Sequence, residues 1–174
     1  SRSSLITGMH PTTIGSQNMR AYKSGKDGKN PHNNLPFYSP VPKRKVQFFT
    51  EILRANNYYC SNNSKEDYNM ECSPLAWDES SPNAHWRNRK DKQPFFAVFN
   101  FNRSHESNIW KKETTHSKEA VNAFHLPSIF PNSDLIKRDF LTNYKNIEKL
   151  DEQIGALIQQ LKQDSLYDNT IIFF

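Results

Sequence analysis

The sequence predicts an α/β fold with a largely parallel sheet, and three observations carry that expectation. β-prone runs alternate along the chain with segments of helical period. The clearest run, Pro94-Phe95-Phe96-Ala97-Val98-Phe99-Asn100-Phe101, is apolar almost throughout, as expected of a central strand covered on both faces. No Asn-Gly pair joins neighbouring runs as a tight hairpin would. Strands connected through helices pair in parallel, so the helices should layer on both sides of the sheet as an α/β/α sandwich.

The first helix is expected over Ser1 to Gly8. Ser1 is placed to cap it, Leu5 and Ile6 form its buried face, and Gly8 ends it. Met9 to Gly15 reads as a turn-rich connection. Lys23 to Pro42, rich in Gly, Lys, Asn and Pro, reads as a long loop. The basic run Lys43-Arg44-Lys45 leads into a helix on which Val46, Phe49, Ile52 and Leu53 recur at helical spacing, and Asn56-Asn57 stops it. Tyr58-Tyr59-Cys60 is a short strand, with Ser61 to Asp67 as its polar exit into a loop.

A second irregular stretch, Asn69 to Gln93, holds Pro74, Pro82 and the aromatic-basic cluster His85-Trp86-Arg87-Asn88-Arg89. Loops of this length in a compact domain are usually functional or disordered. The apolar strand comes next and ends in Asn102-Arg103-Ser104-His105-Glu106-Ser107. Polar residues just past the C-terminal end of a strand stand where open α/β sheets bind ligands. Residues 108 to 132 are irregular. Ser133 or Asp134 then caps the longest helix, on which Ile136, Phe140, Tyr144, Ile147, Ile154, Leu157, Ile158 and Leu161 keep a helical period, with Asp151 inside the apolar arc. Tyr167-Asp168-Asn169 is a turn, and Thr170 to Phe174 begins a buried strand.

Composition narrows the function. At 174 residues and 20.3 kDa the chain is long enough for one domain with a core. It is polar, with a mean hydropathy of −0.86, but 13% aromatic content is too high for simple disorder. The net charge of +5 is mild, and the basic residues are scattered among acidic ones. That suits an anionic substrate; there is no RNP-like motif, zinc finger or recognition helix to suggest nucleic acid. No run approaches the length of a membrane helix. Cys60 and Cys72 are the only cysteines, too few for a disulfide framework and without zinc spacing. They pair with each other or remain as ordinary buried thiols, the commoner outcome.

Three polar groups fall at the ends of elements: Arg2 at a helix start, Lys65 after the first strand and His105 after the second. A parallel sheet sets the C-terminal ends of its strands on one edge, so Lys65 and His105 could converge. Arg and Lys would offset charge on the equatorial oxygens of a tetrahedral anion, and a His would protonate a leaving oxygen or nitrogen near neutral pH. Taken singly, each is more often a surface charge or a loop hydrogen-bonder.

The opening stretch tips that balance. Ser1, Arg2, Leu5, Ile6, Thr7 and Gly8 match, in order, the second part of the sulfatase signature: Cys (or Ser), any residue, Pro, Ser, Arg, two variable residues, two apolar residues, Thr, Gly. The chain resembles the sulfatase family over nearly its whole length. Asn63-Ser64-Lys65-Glu66-Asp67 occupies the place of the family's Gly-Lys-x-His loop, with Lys65 aligned and Asp67 where a His is usual. Phe95 to Ser107 looks like the family's strand that ends in a sulfate-binding His, here His105. Leu150 to Leu161 and Asp168 to Phe173 are similar to its long helix and following strand. The Phe99 to Ser107 stretch and the Ala84 to Arg89 loop look closest to heparan N-sulfatase-like members.

The resemblance implies an alkaline phosphatase-like fold and hydrolysis of a sulfate ester or sulfamate. In the family a formylglycine attacks sulfur, displaces the alcohol or amine and releases sulfate, while a calcium ion polarises a sulfate oxygen. Here residues 1–174 would be part of the catalytic domain. The formylglycine is expected just before Ser1 and the calcium ligands outside the chain, so this chain alone is expected to be inactive. By the same resemblance Arg2 orients the nucleophile, Lys65 neutralises sulfate charge and His105 binds sulfate or assists the leaving group. Asp67, His85, Trp86, Arg87 and Glu106 are candidates for substrate contact. The substrate would be a sulfated polysaccharide or glycosaminoglycan, met in a periplasmic, extracellular or lysosome-like compartment. Two alternatives stand beside this: a phosphate or phosphonate ester hydrolase of the same superfamily, and a non-catalytic binder of sulfated glycans.

Overall fold

A computed structural model describes residues 2–17, 40–42, 46–111 and 115–174. Ser1, nearly all of the expected loop from Lys23 and the basic run Lys43-Arg44-Lys45 lie outside the described residues. The fold is α/β, and its sheet is parallel. The chain divides into two compact units, Ser1–Asn100 and Phe101–Phe174.

The first unit opens with α1, Arg2–Thr7, and α2, Pro11–Ile14. Gly8 ends α1 at φ +68°, where its N–H donates to Ser4 O at 2.8 Å. That left-handed conformation costs a glycine little. A helix this short turns one narrow stripe to the core, and Ser3 and Ile6 take it. Leu5, expected inside, is therefore 77% exposed. The connection read as turns contains α2, begun by Pro11, whose fixed φ suits a first helical position.

The next helix, α3, covers Phe49–Ala55. Phe48 precedes it in extended conformation and is fully buried, and its N–H donates to Glu51 Oε1 at 3.4 Å. Asn56 closes the helix and Asn57 takes φ +68°, as the Asn pair suggested. Ile52 stays exposed.

Among the described residues three strands form the sheet: β1, Tyr59–Asn63; β2, Glu79–Ser80; and β3, Phe95–Phe99. Their order is β2-β1-β3, and both pairings are parallel. Three expectations change here. The middle strand is β1, whereas β3 has one strand neighbour among the described residues. The stretch read as a polar exit begins inside the buried part of β1, because Ser61 and Asn62 continue the ladder beside Ala97 and Val98. β2 arises inside the stretch read as irregular, too short to show an alternating pattern.

Register then assigns the faces. Cys60 lies beside Phe96 and Asn62 beside Val98, so these four share one face. On it sits the core of Ile6, Ile14, Phe48, Cys60, Tyr68, Met70, Ala76 and Trp77, with Phe49, Phe96 and Val98 against it. Tyr59, Phe95 and Phe99 take the other face, where Trp86 packs on Phe95 and Phe99.

The second unit is built on α5, Asp134–Gln163, whose N-cap Ser133 accepts from Ile136 N at 3.4 Å. A helix missed in the irregular stretch, α4, Lys118–Ala123, packs against α5 through the buried Val121. Its cap is Ser117, which accepts from Ala120 N at 3.2 Å. Phe124, Phe130, Phe140 and Tyr144 form an aromatic cluster beside it. Asp151 is exposed. Tyr167–Asn169 is a 3-10 turn, with Lys162 Nζ 4.9 Å from the Tyr167 ring centre. The strand expected after it is not formed. Thr170 is extended, but Ile171 to Phe174 have no strand partner among the described residues and lie open to solvent. A strand needs a neighbour for its backbone hydrogen bonds, which an apolar run cannot supply by itself.

Candidate functional site

The period-two alternation of β3 continues past its end, placing Asn100 on the same side as Phe96 and Val98. That is the face α1 covers, and there Arg2 meets it. Arg2 Nη2 donates to Asn100 Oδ1 at 2.6 Å, and Nη1 donates to the Lys65 carbonyl at 3.3 Å. The guanidinium thus holds two loops from the C-terminal edge of the sheet at once, and Arg2 remains exposed enough to meet a ligand. Arg2 and the Lys65 loop are brought together.

The Lys65 loop leaves β1 through a cis peptide between Asn63 and Ser64. Lys65 Nζ lies 3.4 Å from Asp67 Oδ2, and Asp67 takes φ +40°. An aspartate tolerates that region better than most residues, because its short side chain bonds locally. Asp67 therefore serves Lys65 as a counter-charge.

Asn63 tethers the loop on the other side. Its Nδ2 donates to Pro82 O at 2.7 Å and to Ala84 O at 3.3 Å. Glu79 organises the segment after β2, accepting from Asn88 Nδ2 at 2.7 Å and from Tyr59 Oη and Ser81 Oγ at 2.9 Å each. These donors, Asn88 first and then Tyr59, hold the Glu79 carboxyl below the usual carboxylate range. In return, burial and then the hydrogen bond to Glu79 push the Tyr59 hydroxyl up to about 12.

On this scaffold stand His85, Trp86 and Arg87. Trp86 is 2% exposed and packs between His85, Phe95 and Phe99, so it is a core residue, not an open platform for a sugar ring. An indole buries a large apolar area, and the aromatic side of β3 supplies the matching surface. His85 and Arg87 reach the surface. His85 precedes a 3-10 turn, Trp86–Asn88, and its Nδ1 accepts from Arg87 N at 3.1 Å.

The second unit repeats that device. His105 precedes a 3-10 turn at Glu106–Asn108. Its Nδ1 accepts from Ser107 N at 3.2 Å and lies 2.9 Å from Ser107 Oγ. With Nδ1 accepting, each neutral ring carries its proton on Nε2. Both histidines are therefore presented as donors, which suits an anionic oxygen. Glu106 is exposed in the first turn.

Four residues in this arrangement went unread in the sequence: Asn62, Ser80, Asn100 and Glu66. Asn62 Nδ2 donates to Ser80 Oγ at 3.0 Å, and Ser80 Oγ donates to Glu66 Oε1 at 2.7 Å. The readable signal was the placing of Asn and Ser at consecutive strand ends. Among the described residues no three His, Cys, Asp or Glu side chains converge. Nor is any described helix long and apolar enough to cross a membrane.

No solved structure matches the chain. A curated relative, the ulvan-active sulfatase of Formosa agariphila, is 40% identical over 209 aligned residues, covering all of this chain and 34% of the relative. The chain thus spans about a third of that protein's length. The sulfatase family profile matches residues 1–174. With the family profile matching residues 1–174 and a relative 40% identical over the whole of the chain, the chain belongs to the sulfatase family.

Proposed function

We propose that the complete protein carrying this chain hydrolyses sulfate esters of a sulfated polysaccharide, and that residues 1–174 form part of its catalytic domain. The observation that carries this reading is the Arg2 Nη1 contact with the Lys65 carbonyl at 3.3 Å, which brings the loop of one cationic residue onto the guanidinium of another at the sheet edge. Two positive groups at one sheet edge stabilise the charge that builds on the equatorial oxygens of a sulfuryl group in transfer. Lys65 does the neutralising. Arg2, a planar fork held on two acceptors, orients the attacking group.

His105 is the proposed proton donor to the leaving oxygen. Its Nδ1 is engaged by Ser107, so the proton it can give is on Nε2. His85, Arg87 and Glu106 are proposed substrate contacts, with Trp86 acting from beneath as the support of His85. By family, a formylglycine and a calcium ion supply the nucleophile and the Lewis acid, and residues outside this chain are proposed to hold both. The relative's activity on ulvan, a use its name gives, favours sulfate ester over the sulfamate of the heparan N-sulfatase likeness. A polysaccharide too large to enter a cell would be met in the periplasm or outside.

The test is sulfate release by the complete protein from ulvan oligosaccharides, heparan sulfate and 4-nitrophenyl phosphate in parallel. Sulfate from ulvan, lost in Lys65→Ala, is the expected result. Release from heparan sulfate alone, with a free glucosamine amine appearing for each sulfate, moves the reading to the sulfamate subgroup. Phosphate release in place of sulfate moves it to the phosphoester hydrolases. Binding of ulvan without release leaves a sulfated-glycan binder.

A further inference from the structure

On the hydrolase reading above, we infer that Asn100 and Asn62 are positioning residues that fix the Arg2 guanidinium through one directional hydrogen-bond chain, anchored at its far end on Glu66. Ser80 and Asn62 are register partners, so their side chains share a face, and Asn100 takes the same side one residue past β3. The ends of three parallel strands therefore present Ser80, Asn62 and Asn100 in a row, leading to Arg2.

Each orientation in that row is dictated by the one before. Arg2 has only donors, so Asn100 turns Oδ1 to it, 2.6 Å from Nη2. Asn100 Nδ2 must then donate, and it finds Asn62 Oδ1 and Asn63 O, both at 3.0 Å. Asn62 is left with Nδ2 toward Ser80 Oγ at 3.0 Å, and Ser80 passes its hydrogen to Glu66 Oε1 at 2.7 Å. Turning either amide over would set donor against donor. Asn62 is wholly buried, where an amide facing the wrong partner is costly. A cation stands at one end and a carboxylate at the other, the polarity in which successive bonds strengthen each other. This row holds Nη2 in place, while the Lys65 carbonyl holds Nη1.

The test is a double-mutant cycle in the complete protein, with 4-nitrophenyl sulfate as the probe. Asn100→Ala is expected to lower kcat by about tenfold to a hundredfold, the scale of a small misplacement of a catalytic group, while KM stays nearly constant. In an Arg2→Ala background the same substitution should cost nothing further, because it acts only through Arg2. Ser80→Ala, at an exposed position, cuts the far link alone and should give a smaller loss, again in kcat, with an unchanged melting temperature. It keeps the question open to test should Asn100→Ala fail to fold. Losses that multiply in the double variant, or a Ser80→Ala enzyme with unaltered kcat, would overturn the positioning role and leave the hydrolase reading standing. An unsubstituted protein that releases no sulfate overturns both.

Discussion

The Lys65 ammonium lies 3.4 Å from the Asp67 carboxylate, so the loop that carries a candidate anion-binding cation also carries its counter-charge. An anion approaching Lys65 competes with Asp67. Both side chains are more than a third exposed, so the pair adds little to stability, as surface ion pairs generally do. Asp67→Asn should leave the unfolding midpoint nearly unchanged. It should also tighten binding of inorganic sulfate, up to about fivefold, the worth of one unit charge at about 4 Å in water. Inhibition of the complete protein by sulfate measures this. Weaker inhibition in Asp67→Asn would mean that the carboxylate positions Lys65 instead of competing for it.

Glu79 ties β2 to the Trp86 loop through Asn88, Tyr59 and Ser81. Its folded-state carboxyl is lowered, so the sign of the pH effect is determined. The stabilisation is complete above the unfolded carboxylate value of about 4.3, and it is lost as pH falls through the lower folded value. Protection of the amides of Asn83 to Arg89 against hydrogen exchange should therefore drop below about pH 4. Glu79→Gln should show reduced protection at neutral pH and a flatter acid limb. An acid limb identical to that of the unsubstituted protein would place the titrating group elsewhere.

Trp86 and Arg87 are neighbours with opposite consequences. Trp86 fills the space between His85, Phe95 and Phe99, and Trp86→Ala should destabilise the first unit by about 3–5 kcal/mol. Arg87 stands at the surface, so Arg87→Ala should change stability by less than about 0.5 kcal/mol. If Arg87 touches a sulfated sugar, its loss appears as a raised KM for polysaccharide with KM for 4-nitrophenyl sulfate unchanged. Urea unfolding and paired kinetics on the two substrates separate the two effects.

What could be read from the sequence was what local chemistry decides. Gly8, Asn57 and Ser133 mark helix ends by their own backbone or side-chain preferences, and each does so in the structure. Hidden from it was what depends on long-range pairing. Asn62 looks like loop-forming polarity until β2 and β3 flank it, and its burial comes from register, which no local pattern contains. Trp86 beside His85 and Arg87 reads either as a contact for a sulfated sugar or as a packed Trp among solvated cations, and the aromatic side of β3 decides for the second. Thr170 to Phe174 shows the converse: a strong strand composition stays unpaired where no neighbour is at hand among the described residues.

Cys60 and Cys72 remain free thiols, Cys60 fully buried with its Sγ directed at Thr50 O, 3.7 Å away, and Cys72 half-buried near Glu66. Burial first, and then nearby carboxylates, pushes each up to about 12. The thiolate is the reactive form, so near neutral pH very little of either thiol is reactive. Alkylation by iodoacetamide, mapped by mass spectrometry, should be slow at both sites in the folded protein and rapid for both in urea. Cys72 should label before Cys60, because it needs only local opening of its segment, whereas Cys60 sits in the middle strand beneath α3. Simultaneous labelling would mean that the two are released by one cooperative unfolding event, making the Cys72 segment part of the same structural unit as the sheet.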